Sequence, residues 1–214
     1  MLCGLKPGAL NFIRKYVVWV AERWFYGGVT SNLDLASARE FVLRQKIRMV
    51  ANEYTIESAN GTLLAYAKQK VMALKERVRF FSDSTKSIEV FSFQARNVMD
   101  MTSKCDVFDG HGTQIGFFSK DFGKSMLRST WHLECASGHY QGQESSQAIA
   151  LIRRFADVAL PYDFAFKDAQ GNPAFHIERK MTLRDSYKVT IMDPSIDGRV
   201  VAALAVALDT LQQR

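Results

Sequence analysis

Residues 200–208 of this chain read Val-Val-Ala-Ala-Leu-Ala-Val-Ala-Leu, an uninterrupted apolar run near the end of the sequence. Four of the nine residues are alanine, the strongest helix former. Turn-forming residues occupy 193–195 and 197–198, and either Ser195 or Asp197 is suited to cap a helix. The segment therefore predicts a helix over about 199–211. A helix that is apolar on every side must be buried on every side.

A repeated unit precedes this segment, with copies around Gly61, Gly112 and Gly171. In each copy, apolar residues stand seven and five places before the glycine, which is the period-two pattern of a half-buried strand. These residues are Tyr54 and Ile56, Cys105 and Val107, and Phe164 and Phe166. A second strand follows each glycine, through 64–66, 115–117 and 175–177. The repeat predicts three β-hairpins.

The hairpin turns have their own chemistry. Asn60-Gly61 offers two consecutive residues that tolerate positive φ, which fits a tight hairpin turn. Asp109 and Asp168 each stand three residues before the glycine of their copy. This shared position predicts aspartates that hydrogen-bond the nearby backbone and not an acid/base pair.

The similarity continues into the segments 74–80, 127–133 and 183–189. Each has apolar residues at positions one, five and seven and basic residues at two and six. On a strand the odd positions face one side, here the core, and the even positions face outward. In the first copy, Lys75, Arg77 and Arg79 form a basic row.

The unit begins near residue 40, because 41–46 resembles 175–180, and the whole pattern holds ten to twelve strands. Barrels of about eight strands are filled by their own side chains, so enclosing a helix requires a larger barrel. The sequence thus predicts a mostly β (α+β) fold, an antiparallel closed barrel of about twelve strands around the C-terminal helix. We expect an N-terminal helical arm at 1–37 and the barrel domain at 38–214.

Repeated Tyr-x-Ile-x-x-x-x-Gly hairpins, a lysine nine places after Gly61 and Gly171, and an apolar C-terminal helix resemble the LURP-one-related family, over about residues 38–212. That family belongs to the tubby-like superfamily, with the phospholipid scramblases. The resemblance implies a twelve-stranded barrel around a hydrophobic helix and, by kinship with tubby proteins, phosphoinositide binding. The acidic calcium segment and the cysteine cluster of scramblases are not recognisable in this sequence.

The net charge of +6 is concentrated at the N-terminus. Residues 1–48 carry eight Lys or Arg against three acids, whereas 49–214 carry twenty against nineteen. A nucleic-acid binder needs a continuous basic face, so this distribution disfavours nucleic acid as the partner. If residues 12–26 are helical, apolar side chains lie on one face, and basic residues beside tryptophan are typical of an interfacial membrane helix.

From these features we predict a non-enzymatic domain that binds anionic phospholipid or phosphoinositide at a membrane surface. The residues assigned to lipid or anion binding are Arg14, Lys15, Arg23, Lys75, Arg77 and Arg79, and those assigned to membrane contact are Trp19, Trp24 and Phe25. The alternatives are a protein-interaction or scaffold domain that uses the N-terminal helix to bind a partner or a second copy, then a phospholipid scramblase or a nucleic-acid binder.

Motifs for catalysis, cofactors and metals are weak. Gly123-Lys124-Ser125 lacks the earlier glycine of a phosphate-binding loop, since that position is Phe118. The histidines have no metal-site spacing, so we expect surface or turn histidines and no metal; they are His111, His132, His139 and His176. We predict no enzyme activity and no cofactor. The three cysteines form no pair motif, which is typical of a reducing compartment, and we expect a cytoplasmic protein, peripheral at most to a membrane.

Overall fold

The computed structural model of the protein describes residues 35–46, 51–70, 77–96, 104–121, 130–144, 163–180 and 186–212. Twelve strands and one long helix lie in these ranges. The elements are β1 Glu40–Lys46, β2 Ala51–Ser58, β3 Leu63–Lys70, β4 Val78–Phe81, β5 Glu89–Ala95, β6 Cys105–Asp109, β7 Gln114–Asp121, β8 Thr130–Cys135, β9 Gly138–Glu144, β10 Asp163–Lys167, β11 Pro173–Lys180, β12 Ser186–Ile191 and α1 Gly198–Gln212. Residues 35–37 are also helical. The helix expected over 12–26 lies outside the described residues.

The twelve strands form one closed antiparallel barrel in which each strand pairs with the next along the chain. Strand β12 pairs with β1, and Phe41 lies opposite Val189 in that last pair. Closure satisfies the backbone hydrogen bonds that an open sheet would leave exposed at its two edges. The predicted barrel of about twelve strands is confirmed.

The repeated strands face the core as their period-two pattern predicts. Positions five and seven of the three similar segments are buried residues; they are Val78 and Phe80, Trp131 and Leu133, and Tyr187 and Val189. The apolar residues before the hairpin glycines are buried as well, except that Cys105 is only partly buried. Burial raises the pKa of the Cys105 thiol to about 11. The even positions therefore form the outer surface of the barrel.

Helix α1 runs through the barrel, and its apolar run Val200–Leu208 has relative exposures of 0–1%. The boundaries Gly198–Gln212 agree with the predicted 199–211 to within a residue at each end. The Asp197 side chain caps the helix by accepting a hydrogen bond of 2.9 Å from the Arg199 backbone N–H. The central-helix prediction is confirmed, with Asp197 and not Ser195 as the cap.

The other end of α1 carries a buried polar cluster that the sequence did not predict. Asp209 is 0% exposed and accepts hydrogen bonds from the hydroxyls of Tyr187 and Tyr54, the latter at 3.3 Å. Gln45 Nε2 donates to the Tyr54 hydroxyl at 3.0 Å. Burial, together with the Asp209 charge, raises the pKa of Tyr54 to about 12. Hydrogen bonds compensate for the loss of water around these polar groups.

The three repeated hairpins share one turn geometry, which differs from the expected one. Only the glycine has positive φ, with values of 82° at Gly61, 85° at Gly112 and 87° at Gly171, and Asn60 does not. The Gly61 N–H donates to the Ser58 carbonyl and the Ser58 N–H to the Thr62 carbonyl, both at 2.9 Å. This is a type I turn closed by a left-handed glycine and a bulge. One glycine suffices, because the bulge supplies the strand twist.

The predicted turn role of the two aspartates is confirmed. Asp109 Oδ1 accepts hydrogen bonds from the N–H groups of His111 at 2.9 Å and Thr113 at 2.8 Å. Asp168 Oδ1 accepts the matching pair, from Gln170 and Asn172. In the first copy the Ser58 hydroxyl takes the same place and accepts from the Thr62 N–H.

Candidate functional site

Of the nine residues predicted to bind lipid or contact the membrane, two lie in the described part of the chain, Arg77 and Arg79. The other seven lie outside the described residues; they are Arg14, Lys15, Trp19, Arg23, Trp24, Phe25 and Lys75. Their assignment stays a prediction. Arg77 and Arg79 lie on or next to β4, on the outside of the barrel, as the period-two pattern predicts.

Arg77 is held against the wall of the barrel. Its Nε donates a hydrogen bond of 2.9 Å to the Ser92 hydroxyl, and its guanidinium lies 5.0 Å from the centre of the Phe108 ring. The register explains this contact, because Ser92 on β5 is paired with Phe108 on β6. A guanidinium over an aromatic face is a favourable cation–π arrangement. Arg77 therefore lies flat on the strands.

Arg79 is the more exposed of the two, with a side-chain exposure of 57%. Both arginines contact Glu89, which lies 3.5 Å from Arg77 and 3.7 Å from Arg79. Exposed ion pairs of this kind contribute little to stability. Since one carboxylate faces two guanidinium groups, this part of the surface keeps an excess of positive charge.

A second cationic cluster, which the sequence did not predict, surrounds Phe117 on β7. Arg96 lies 5.0 Å and the Lys104 ammonium 4.6 Å from the centre of the Phe117 ring. Arg96 also forms two short hydrogen bonds with Asp106, at 2.8 and 2.6 Å. The hydrogen bond to that carboxylate raises the pKa of Arg96. A sequence signal did exist, because Phe117 is an aromatic residue at an outward-facing position.

These residues form one outer surface on strands β4 to β7, which we name the cationic–aromatic face. It consists of Arg77, Arg79, Arg96, Lys104, Phe108 and Phe117. Its two rings are half-buried, and three of its four cations, Arg77, Arg96 and Lys104, lie over them. Residues 71–76 and 97–103, which flank it in sequence, lie outside the described ranges.

A surface groove of about 510 Å³ adjoins this face at the N-terminal end of α1. It lies at one end of the barrel, between the start of β7, the end of β8, the β8–β9 turn and the segment before the helix. Its lining residues are Gln114, Ile115, Gly116, Phe117, Glu134, Cys135, Ala136, Ser137, Ser195 and Asp197. Phe117 thus belongs both to the groove and to the cationic–aromatic face.

The segment before the helix is fixed to the barrel by Asp193. The Tyr140 hydroxyl donates to Asp193 Oδ2 at 2.8 Å, and Ser195 donates to Asp193 Oδ1 from its hydroxyl and its N–H. These hydrogen bonds, those from Ser195 first, lower the pKa of Asp193. Arg39 holds the same segment by donating to the carbonyls of Pro194 and Ile196, both at 2.9 Å. The groove therefore has a well-anchored rim.

Two of the histidines are in contact on the outer surface, although their spacing in the sequence gave no indication that any of the four would meet. His132 on β8 and His139 on β9 approach to 3.3 Å between Nδ1 and Nε2, because the two strands form a hairpin. His132 Nε2 lies 2.9 Å from Asp121 Oδ2. In the described ranges, no group of three His, Cys, Asp or Glu side chains is arranged to hold a metal ion.

No helical segment in the described part of the chain combines the length and hydropathy that crossing a bilayer requires.

Comparison with known proteins gives a family and a related structure. The family model for LURP-one-related proteins matches residues 64–209, more than half of the chain. An X-ray structure of a protein from Arabidopsis thaliana is similar at 16% sequence identity and a TM-score of 0.45, and the match covers 86% of this chain and 98% of that one. No curated protein matches the sequence.

Proposed function

The chain belongs to the LURP-one-related family, and on that premise we propose that its barrel is a non-enzymatic domain that binds anionic phospholipid head groups at a membrane surface. The cationic–aromatic face is the proposed contact surface. The resemblance to tubby-like proteins, which include phosphoinositide binders, supports this proposal. One fold supports many functions, and it is the residues of this surface that support lipid binding.

The observation that carries the proposal is the pair of cations around Phe117. Among the described residues, Lys104 forms no ion pair, and its ammonium lies over the Phe117 ring beside Arg96. Each Lys or Arg near an anionic membrane contributes about 1 kcal/mol to binding. An aromatic ring with cations at its side suits the interface, where the ring meets the lipid and the cations meet the phosphates.

The β4–β5 hairpin extends this surface with an apolar side chain. Ile88, at the base of its loop directly before β5, is 42% exposed, and Lys86 in the loop is exposed too, with its ammonium 5.9 Å from the centre of the Phe81 ring. An exposed isoleucine costs little where it can enter the boundary between head groups and acyl chains. The hairpin therefore supplies a small hydrophobic contribution next to the charges of Arg77 and Arg79.

The acids on the same surface limit the expected affinity. Glu89 partly compensates Arg77 and Arg79, and Asp106 compensates Arg96. We therefore expect weak, reversible binding that decreases as salt screens the remaining charge. The arm residues predicted from sequence, such as Arg14 and Trp24, would add to this affinity.

The test is vesicle sedimentation of the full chain with phosphatidylcholine vesicles, alone or with added phosphatidylglycerol or phosphatidylinositol bisphosphate. The variant Arg79→Gln/Lys104→Gln removes two charges from the face, and we expect it to bind anionic vesicles roughly thirtyfold more weakly. Neutral vesicles should retain neither protein.

The matched control is Arg44→Gln/Lys188→Gln, which removes the same charge from β1 and β12 on the opposite side of the barrel. These cations pair with Glu57 at 3.0 Å and Glu40 at 3.8 Å. We expect the control to bind like the unaltered chain. Equal losses in the two variants would show that only net charge matters, and absence of the unaltered chain from all anionic vesicles would disprove the proposal.

A further inference from the structure

Glu134 on β8 is an acidic residue placed directly beside the cationic–aromatic face. It is the register partner of Phe117, so the two side chains are neighbours on the outer surface of the barrel. Glu134 is exposed, and among the described residues it accepts no hydrogen bond and forms no ion pair. Its charge acts on Arg96 only at a distance.

Among the described residues that line the groove, Glu134 is also the one acid that forms no ion pair with another described residue. The other lining carboxylate, Asp197, forms an ion pair with Arg199, with 2.6 Å between Arg199 Nη2 and Asp197 Oδ2. The groove adds the hydroxyl groups of Ser137 and Ser195 and the amide of Gln114, which are hydrogen-bonded to Tyr140, Asp193 and Asp106 respectively. A ligand in this groove would therefore meet one free negative charge surrounded by neutral polar groups.

Across strands β6 to β8, the outer surface presents a cation, then an aromatic ring, then a carboxylate. Lys104 lies over Phe117 on one side, and Glu134 is on the strand at the other side. Lys104 directly precedes β6 and Glu134 lies on β8, so their backbones are two strand spacings apart, roughly 9.6 Å. A head group in which a phosphate and an ammonium are separated by a two-carbon unit can span this gap, because each charge needs only to reach hydrogen-bond distance of its partner. The arrangement fits a zwitterion better than a simple anion, because a simple anion would be repelled by Glu134.

We propose that the face and the groove together select amino-phospholipid head groups, with the phosphate beside Lys104 and Arg96 and the primary ammonium beside Glu134. This inference rests on the proposed membrane-binding function and specifies its ligand. A primary ammonium donates hydrogen bonds to a carboxylate, whereas the quaternary ammonium of phosphatidylcholine has no N–H to donate. Phosphoserine and phosphoethanolamine lipids share the required unit.

The experiment compares phosphatidylserine with phosphatidylglycerol at equal mole fraction in phosphatidylcholine vesicles, with the full chain. The two lipids carry the same net charge, but only phosphatidylserine has an ammonium. We expect roughly fivefold tighter binding to phosphatidylserine, the size of an exposed ion pair near 1 kcal/mol. A third set adds phosphatidylethanolamine to the phosphatidylglycerol vesicles, and tighter binding there would assign the preference to the amino-phosphate unit and not to the serine carboxylate.

The variant Glu134→Gln distinguishes head-group selection from simple charge attraction. It should strengthen binding to one lipid while abolishing the preference for the other. Binding to phosphatidylglycerol should rise by roughly twofold, since a repelling charge is removed. The preference for phosphatidylserine should disappear. The control Glu178→Gln removes an exposed acid from β11, three strands away, which forms no ion pair with the other described residues, and it should leave the preference intact.

The outcomes distinguish the two proposals. Equal binding of the unaltered chain to phosphatidylserine and phosphatidylglycerol would refute the head-group selection while leaving the membrane function in place. A preference that survives Glu134→Gln would refute the role of Glu134. Failure to bind any of these anionic vesicles would refute both proposals.

Discussion

Phe117 and Phe118 are adjacent in sequence, yet they belong to two different regions of the molecule. Phe118 points into the barrel, is 1% exposed, and packs against other rings, with its centroid 5.9 Å from that of Phe93 and 6.5 Å from that of Trp131. Phe117 points outward, is half-exposed, and has two cations over its ring. The same side chain serves the core in one case and a charged surface in the other.

The difference shows what each region contributes. Interior rings gain stability by leaving water and by close packing, as in the stacked pair Phe166 and Phe175, whose centroids are 4.2 Å apart. The outer rings stay partly in water, where their contacts with cations add little to folding. We infer that the interior determines whether the protein folds, and the proposed membrane function assigns binding to the outer face.

The largest expected effect comes from truncating these two neighbours. Phe118→Ala should lower the free energy of unfolding by about 3–5 kcal/mol, because it leaves a cavity in the core. Phe117→Ala should lower it by about 1 kcal/mol and weaken binding to anionic vesicles. Urea denaturation and vesicle sedimentation measure the two effects. Similar losses of stability in both variants would contradict the division between core and surface.

A smaller effect is expected from adding one methyl group to the interior. Gly142→Ala places a Cβ in steric overlap with the ring of Phe166, which cannot move aside because it is stacked on Phe175. We expect a loss of about 1–3 kcal/mol in the free energy of unfolding. The adjacent Gln141 is exposed, so Gln141→Ala should be nearly neutral. Thermal unfolding of both variants tests whether the core around Phe166 is too closely packed to accept a methyl group at position 142.

The smallest effect concerns pH and the buried polar end of α1. The pKa of Tyr54 is about 12 in the folded protein and 10.0 in the unfolded chain, so the unfolded chain loses this proton first. Tyr54 therefore stabilises the fold fully below pH 10, and its contribution falls as the pH rises from 10 towards 12. Between pH 9 and pH 11 the loss should be about 1 kcal/mol.

The variant Tyr54→Phe lacks this ionisation. Its free energy of unfolding should decline less between pH 9 and pH 11 than that of the unaltered chain, as measured by urea denaturation at each pH. Parallel declines would show that Tyr54 titrates normally in the folded state and that its environment is less buried than the structure indicates.

Much of the fold follows from local pattern. The period-two alternation predicted which side of β4, β8 and β12 faces the core, and the apolar run 200–208 predicted the buried helix. The role of Asp109 and Asp168 in the turns was predictable too. The prediction for the turn at Asn60-Gly61 was wrong in detail. The turn has one left-handed residue, Gly61, followed by a bulge, where the sequence suggested two residues of positive φ.

The candidate site was predictable only in part. Arg77 and Arg79 could be placed on the outer surface because they belong to the repeat. Arg96, Lys104 and Glu134 could not be connected to Phe117, because each comes from a different strand or strand end. The buried hydrogen bonds of Asp209 with Tyr54 and Tyr187 could not be predicted from the sequence either, since Tyr54 and Tyr187 are far from Asp209 along the chain.

Sequence alone determined which residues point inward and that the C-terminal helix must be enclosed, because both properties arise from periodicity and hydrophobicity within a few turns or strand residues. Only the tertiary structure decided which outward-pointing residues become neighbours. Lateral neighbours such as Phe117 and Glu134 are set by the register between strands, and the register of every pair must be consistent with closure of the whole barrel. That condition is global, so no single segment contains it.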